Sequence, residues 1–202
     1  MKLHPQFPQP PRLAKYPDTC QPNFKNSTPM ILDPNDAAAF LEGYKSVLLE
    51  IDRQSPGKQQ LELVETLVAA RSKYFADRSL LDSALAALSG KSPALSEEIV
   101  SAIRGLELKH WIYLRDTRSH SIFMDPDAEV AYGVVGLTNR IRDIIGGSGA
   151  SIQTAITPYR GHYVCDGLIS SVAWLGPNYK RSFNNDLARI RALGQFHKTP
   201  AG

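Results

Sequence analysis

The spacing of apolar residues changes at Lys109, and that switch restricts the fold of this 202-residue chain more than any other feature. Before it, apolar side chains recur every three or four residues, as one face of a helix requires. Phe40, Leu41, Tyr44, Val47, Leu48 and Ile51 form one stripe. Leu61, Val64, Val68 and Phe75 form a second, with Leu63, Leu67 and Tyr74 on another face of the same segment, and Leu95, Ile99, Ile103 and Leu106 form a third. After Lys109 come short β-branched and aromatic runs divided by turn-formers. A block of helices followed by strands predicts an α+β fold, with an N-terminal bundle of about four helices packed on a largely antiparallel five-stranded sheet with a C-terminal helix.

Local signals place the elements. Asp33-Pro34-Asn35-Asp36 reads as a helix start, with an accepting side chain ahead of a proline at the first helical position. Ser55-Pro56-Gly57 ends that helix. A second is expected from about Lys58 to Phe75, a third from Ser79 to Leu88 with Asp77 or Ser79 as cap and Gly90 behind it, and a fourth opening at Ser92-Pro93. The expected strands cover 111–114, 121–124, 130–137, 151–159 and 162–174. A two-turn helix is expected at 140–145 and a last one after Gly176-Pro177. Gly133 and Gly136 inside the third strand suggest a bulge or a close backbone approach.

Eight of the 14 prolines lie within residues 1–34, so this leader suits neither a helix nor a central strand. With Phe7, Leu13, Tyr16 and Phe24 spaced through it, it reads as a tail or, better, an arm laid across the core. The chain thus divides into an arm (1–32), a helical region (33–108) and a sheet with helices (109–202).

Charge is mild, at a formal +3, but unevenly spread. The first 108 residues carry 12 Lys/Arg against 13 Asp/Glu and the rest carry 11 against 7. A weakly basic second half suits an acidic partner without the dense stripe of a dedicated nucleic-acid binder. Cys20 and Cys165 stand far apart, in neither a disulfide framework nor a metal-ligand spacing, and are expected as reduced thiols in a cytoplasmic protein. There is no apolar run of transmembrane length and no signal-peptide stretch, so no membrane association is expected.

The richest segment is Thr157-Pro158-Tyr159-Arg160-Gly161-His162-Tyr163-Val164-Cys165-Asp166-Gly167-Leu168, a strand, a tight turn and a strand carrying tyrosine, histidine, cysteine and aspartate. Together with Ala131-Tyr132-Gly133-Val134-Val135-Gly136-Leu137, it resembles a module found at the C-terminal end of various uncharacterised bacterial proteins. The resemblance covers residues 109–195. It implies a bacterial origin and brings no activity with it.

Three functions compete. The first is a non-catalytic interaction or scaffold module, engaging a protein partner or a second copy as a homodimer, with the proline-rich arm suited to strand addition. The second is nucleic-acid binding through the basic second half, with Arg140, Arg160 and Arg181 on phosphates and Tyr159 and Tyr163 as stacking surfaces. The third is a small hydrolase or transferase around His162, Asp166 and His120. His162 and Asp166 share a strand face but stand roughly 13 Å apart at ~3.3 Å per residue. An orienting acid would have to come from Asp116 or Asp125. Cys165 reads as a small buried hydrophobe and Asp166 as a turn-former.

Other motifs fail on context. Gly146-Gly147-Ser148-Gly149-Ala150 is neither a nucleophile elbow nor a phosphate loop, because strand and helix stand in the wrong order and no Gly-Lys-Ser/Thr follows. The five histidines give no metal-ligand pair, and Asp125-Pro126-Asp127-Ala128-Glu129 lacks the rest of a calcium loop. No cofactor and no metal are expected.

Overall fold

A computed structural model describes residues 30–55, 61–90 and 94–200. It holds six helices and a seven-stranded mixed sheet among these residues. Helix α1 (Pro34–Gln54) begins as its sequence dictates, with Asp33 Oδ1 accepting from Asn35 N at 2.9 Å and Pro34 in the first turn. Helices α2 (Leu63–Ala76), α3 (Leu80–Leu88) and α4 (Glu97–Arg104) follow. Helix α4 is capped by Ser96 Oγ, which accepts from Ile99 N at 3.3 Å. The helix starts expected at Lys58 and Ser92-Pro93 lie outside the described residues, and the helices themselves begin at Leu63 and Glu97.

The sheet contains β1 (Glu107–Asp116), β2 (Ser121–Met124), β3 (Ala131–Val135), β4 (Ala150–Tyr159), β5 (His162–Cys165), β6 (Ser171–Trp174) and β7 (Phe196–His197), with α5 (Ile141–Ile145) between β3 and β4 and α6 (Pro177–Ala192) before β7. It runs β1-β2-β3-β5-β4, and β4 returns to pair with β1. Five strands thereby close into a barrel. The β3–β5 pair is parallel and the other four pairs of the ring are antiparallel. With α5 between β3 and β4, β5 and not β4 lies beside β3.

Three expectations need correcting. Seven strands replace five, because Asp166 to Ser170 breaks the segment 162–174 into β5 and β6, and a short β7 follows the last helix. The sheet also closes, because β1 is long enough to serve two partners. Its residues 107–113 pair with β4 and its residues 112–116 with β2, and a register shift between Tyr113 and Arg115 bends it between them. Finally, a run of hairpins places sequence neighbours side by side, whereas the β3–α5–β4 connection separates β3 from β4 and leaves β5 between them.

Strand alternation sorts the side chains. Trp111, Tyr113, Phe123, Val134, Ala150, Ile152, Ile156 and Cys165 form one buried cluster with Ile141 of α5. Ile112, Leu114, Ile122, Met124 and Ala131 form another with Leu187 and Ile190, so α6 lies over β1, β2 and β3. Val135, Ala155, Tyr159 and Val164 join Phe40, Tyr44, Tyr74 and Ile103 in the cluster under the helices. The helical region and the barrel therefore share one core.

Of the arm, the described residues show only its last contacts. Leu32 N donates to Gly136 O at 2.9 Å and Gly136 N donates to Met30 O at 3.1 Å. Residues 1–29 lie outside the described residues.

Candidate functional site

The Asp-Gly-Leu segment after β5 builds the most concentrated polar contact in the molecule. Gly167 has φ +77°, which turns the chain so that Asp166 Oδ1 accepts from Leu168 N at 3.1 Å. The same oxygen accepts from Thr154 Oγ1 at 2.9 Å and Ala155 N at 3.3 Å, fastening the turn to β4. Asp166 Oδ2 faces the helices, accepting from Arg71 Nη1 at 2.9 Å and Tyr44 Oη at 3.4 Å. Arg71 also donates to Leu168 O and, at 3.1 Å, to Ser170 Oγ. Both charged side chains of this pair are essentially without solvent contact.

That environment opposes catalysis by Asp166 or Cys165. Burial pushes the Asp166 carboxyl up from its ordinary range, against the pull of the Arg71 guanidinium and of the donors around it. Burial, reinforced by the Asp166 charge, pushes the Cys165 thiol up to about 12, so it stays protonated at neutral pH. The group is a bolt between α1, α2 and the barrel. In the sequence Tyr44 reads only as part of an apolar stripe, and Thr154 carries no mark; the one available signal is Arg71, next to Ala70 and three residues before Tyr74 on a helix otherwise apolar on that side.

Among the described residues, no hydrogen bond joins His162 or His120 to each other or to Asp166. His162 opens β5 half-buried, with Nδ1 lacking a hydrogen-bond partner among the described residues. Neither proposed orienting acid bonds to it. Asp116 Oδ1 accepts from Tyr113 Oη and Ser121 Oγ, each at 2.7 Å, and Asp125 Oδ1 accepts from Glu129 N and Val130 N. His120 packs its ring against Gly133 of β3, 5.6 Å from the ring of Phe196, with Nδ1 2.9 Å from Ser119 Oγ. Burial and the nearby Lys198 and Arg191 charges hold its pKa below the usual histidine range.

Tyr159 is buried and donates to Asp36 O at 3.3 Å. Arg160 pairs with Asp36 and Glu98, each at 2.9 Å, and Tyr163 packs edge-on against Tyr132. These three are engaged within the protein. Arg140 and Arg181 are exposed, at the N-cap of α5 and in α6. Two depressions accompany α4. One, of about 980 Å³, is lined by Gly43, Leu85, Leu88, Leu95 and Ile99; the other, of about 730 Å³, runs beside Glu97, Glu98, Tyr159 and Arg160. His120, His162 and Asp166 line neither.

A different surface stands out, where the Gly146–Gly149 loop meets β6 and the start of α6. Trp174 is 54% exposed and Tyr179 66%, and Val172 of β6 and Ile144 of α5 are exposed as well. Two glycines make this arrangement possible. A Cβ on Gly147 would lie 2.8 Å from the Trp174 ring, and one on Gly149 would lie 2.3 Å from Lys180 Cε. Leu175 N donates to Gly149 O at 2.9 Å and holds the end of β6 to the loop. Segments 138–151 and 171–182 carry four cations, Arg140, Arg142, Lys180 and Arg181, against one carboxylate, Asp143.

Among the described residues, no carboxylate lies within 4.0 Å of any of these four. In the helical region, by contrast, Lys45, Arg53, Arg71, Lys73 and Arg104 are all ion-paired. No helix among the described residues is long and apolar enough to cross a membrane. Compared with known proteins, the chain matches no family model, no curated protein and no solved structure.

Proposed function

We propose that this protein is a non-catalytic binding module whose partner is acidic and docks where β6, the glycine loop and the start of α6 meet. One observation carries this reading: Asp166, Arg71 and Cys165 are spent on buried contacts, while two exposed aromatics and four cations without a carboxylate partner among the described residues share this surface. Natural surfaces rarely leave such a patch without use. The barrel connectivity adds nothing specific, since one architecture serves many functions.

The test is retention on an immobilised polyanion such as heparin. The triple replacement Arg142→Ala, Lys180→Ala, Arg181→Ala should elute at clearly lower salt than the wild type. A charge-matched control, Lys45→Ala, Arg53→Ala, Arg104→Ala, should elute close to it, because those cations already hold carboxylates. Equal effects of the two triples would reduce the behaviour to net charge and sink the proposal.

One feature favours a second reading, self-association. Strand β6 ends the sheet order, all four of its residues are exposed, and its outer edge has no strand partner among the described residues, which suits pairing with a second copy. Sedimentation velocity of the wild type and Val172→Pro decides it. A dimer abolished by the proline supports pairing through β6, and a wild-type monomer at about 100 µM, well above the range of an obligate pair, removes it.

A further inference from the structure

We infer that the acidic partner is a single-stranded nucleic acid, its bases stacking on Trp174 and Tyr179 and its phosphates meeting Arg142, Lys180 and Arg181. The inference rests on the binding-module reading above and gives its partner a chemistry. Three observations select it over other polyanions.

The first is the pairing of ring faces with unspent charge. Carboxylates of an acidic peptide would satisfy the cations and leave two exposed aromatic side chains without a match. A strand of unpaired bases supplies both kinds of group at every residue, and base–aromatic stacking tolerates any sequence. The second is placement. Trp174 is braced by the Gly147 backbone and Lys180 lies along Gly149, so aromatic and cation stand on neighbouring residues of one loop. Tyr179 sits in the first turn of α6, next to Lys180 and Arg181, on a helix opened by Pro177. The third is the geometry of duplexes. Their bases are stacked internally, so they offer phosphates to these cations but no base face to the rings.

The experiment uses the full chain and the fluorescence of its two tryptophans. Trp111 is fully buried and Trp174 largely exposed, so a quench on binding reports Trp174. Titrants are an oligo-U strand of about 12 nucleotides, within the usual span for one barrel, a duplex of equal length, inorganic polyphosphate and poly-glutamate. The expected result is a quench by oligo-U, weaker binding of the duplex, and on the order of tenfold weaker oligo-U binding by Tyr179→Ala, the loss of roughly one stacked base. With three phosphates engaged, one by each cation, the affinity for oligo-U should fall with log salt at a slope near −2, at about −0.7 per phosphate.

Polyphosphate or poly-glutamate binding as tightly as oligo-U, with Tyr179→Ala unaffected, would overturn the inference and leave the acidic-partner reading standing. Tighter binding of duplex would overturn it too. No binding of any polyanion at about 50 µM protein, within the range of ordinary non-specific affinity, would end both. Tyr179 is exposed and holds no described hydrogen bond, so its variant folds and the comparison keeps its meaning.

Discussion

Replacing Arg71 by methionine isolates the contribution of the buried ion pair. Methionine keeps much of the side-chain length and removes the cation, leaving the Asp166 carboxylate buried with only neutral donors around it. Breaking a buried pair from one side costs about 3–5 kcal/mol, because the stranded charge keeps its desolvation penalty and loses its compensation. Bonds to Leu168 O and Ser170 Oγ go as well. At an m-value of about 2 kcal/mol/M in urea, the midpoint should fall by roughly 2 M. The double variant Arg71→Met/Asp166→Asn removes both charges and keeps an oxygen for the Leu168 and Thr154 donors. It should recover about half the loss, roughly 2 kcal/mol, and so fall well short of the sum of the two single variants.

A pH series sharpens this prediction. Burial already pushes the Asp166 carboxyl up and Arg71 opposes it, so without Arg71 the folded-state pKa rises further above the unfolded value. A group with a raised folded pKa stabilises fully below the unfolded pKa and loses that contribution as pH rises through the folded pKa. The gap between Arg71→Met and wild type should therefore be narrow near pH 4 and wide near pH 8. A midpoint change under about 0.5 M, strictly additive single variants, or a gap independent of pH would each refute the argument.

Gly136→Ala should destabilise the fold by several kcal/mol or prevent folding, because its Cβ would lie 1.9 Å from the Asn139 carbonyl oxygen, which only backbone movement can relieve; thermal unfolding checks this, with Gly90→Ala, where nothing lies within 4 Å, as the near-neutral control. His120 is held neutral by burial, so its folded pKa lies below the unfolded value and its contribution is lost as pH falls from about 6.5 through the folded pKa. The acid-side fall in Tm over that window should therefore shrink in His120→Leu, and an unchanged profile would show that another group carries it. Cys165, protonated and buried, should resist alkylation at pH 8 until the chain is unfolded, as read by peptide mass mapping, and fast labelling in native buffer would contradict the burial described.

Local grammar was legible where neighbours in sequence decide the outcome. The cap at Asp33, the helical stripes of α1 and α4, the tight turn at Arg160-Gly161 and the start of α6 all depend on side chains within a few residues. The suspicion attached to Gly133 and Gly136 was also local, and both accept a close approach, from the His120 ring and from the Asn139 carbonyl. Barrel closure was not legible, because hairpin reasoning assumes each strand pairs with the next, and the β1–β4 and β3–β5 pairings join segments dozens of residues apart. The ion pair escaped for the same reason, since Arg71 and Asp166 stand 95 positions apart. On the surface proposed for docking, the cations Arg140 and Arg181 are visible in the sequence, whereas the exposure of Trp174 depends on which end of a broken strand becomes a sheet edge.

The shared core also bears on how the chain is made. Phe40 packs 5.3 Å from Tyr159, and Tyr44 reaches Asp166, so α1 finds its partners more than 100 residues later. A chain leaving the ribosome displays Phe40, Tyr44 and Tyr74 on finished helices well before β4 and β5 exist to cover them. During that interval the helical region is an unfinished half with a greasy side, a target for chaperones and for other nascent chains. Folding should then be slow and all-or-none, set by the arrival of the last strands rather than by the quick formation of helices.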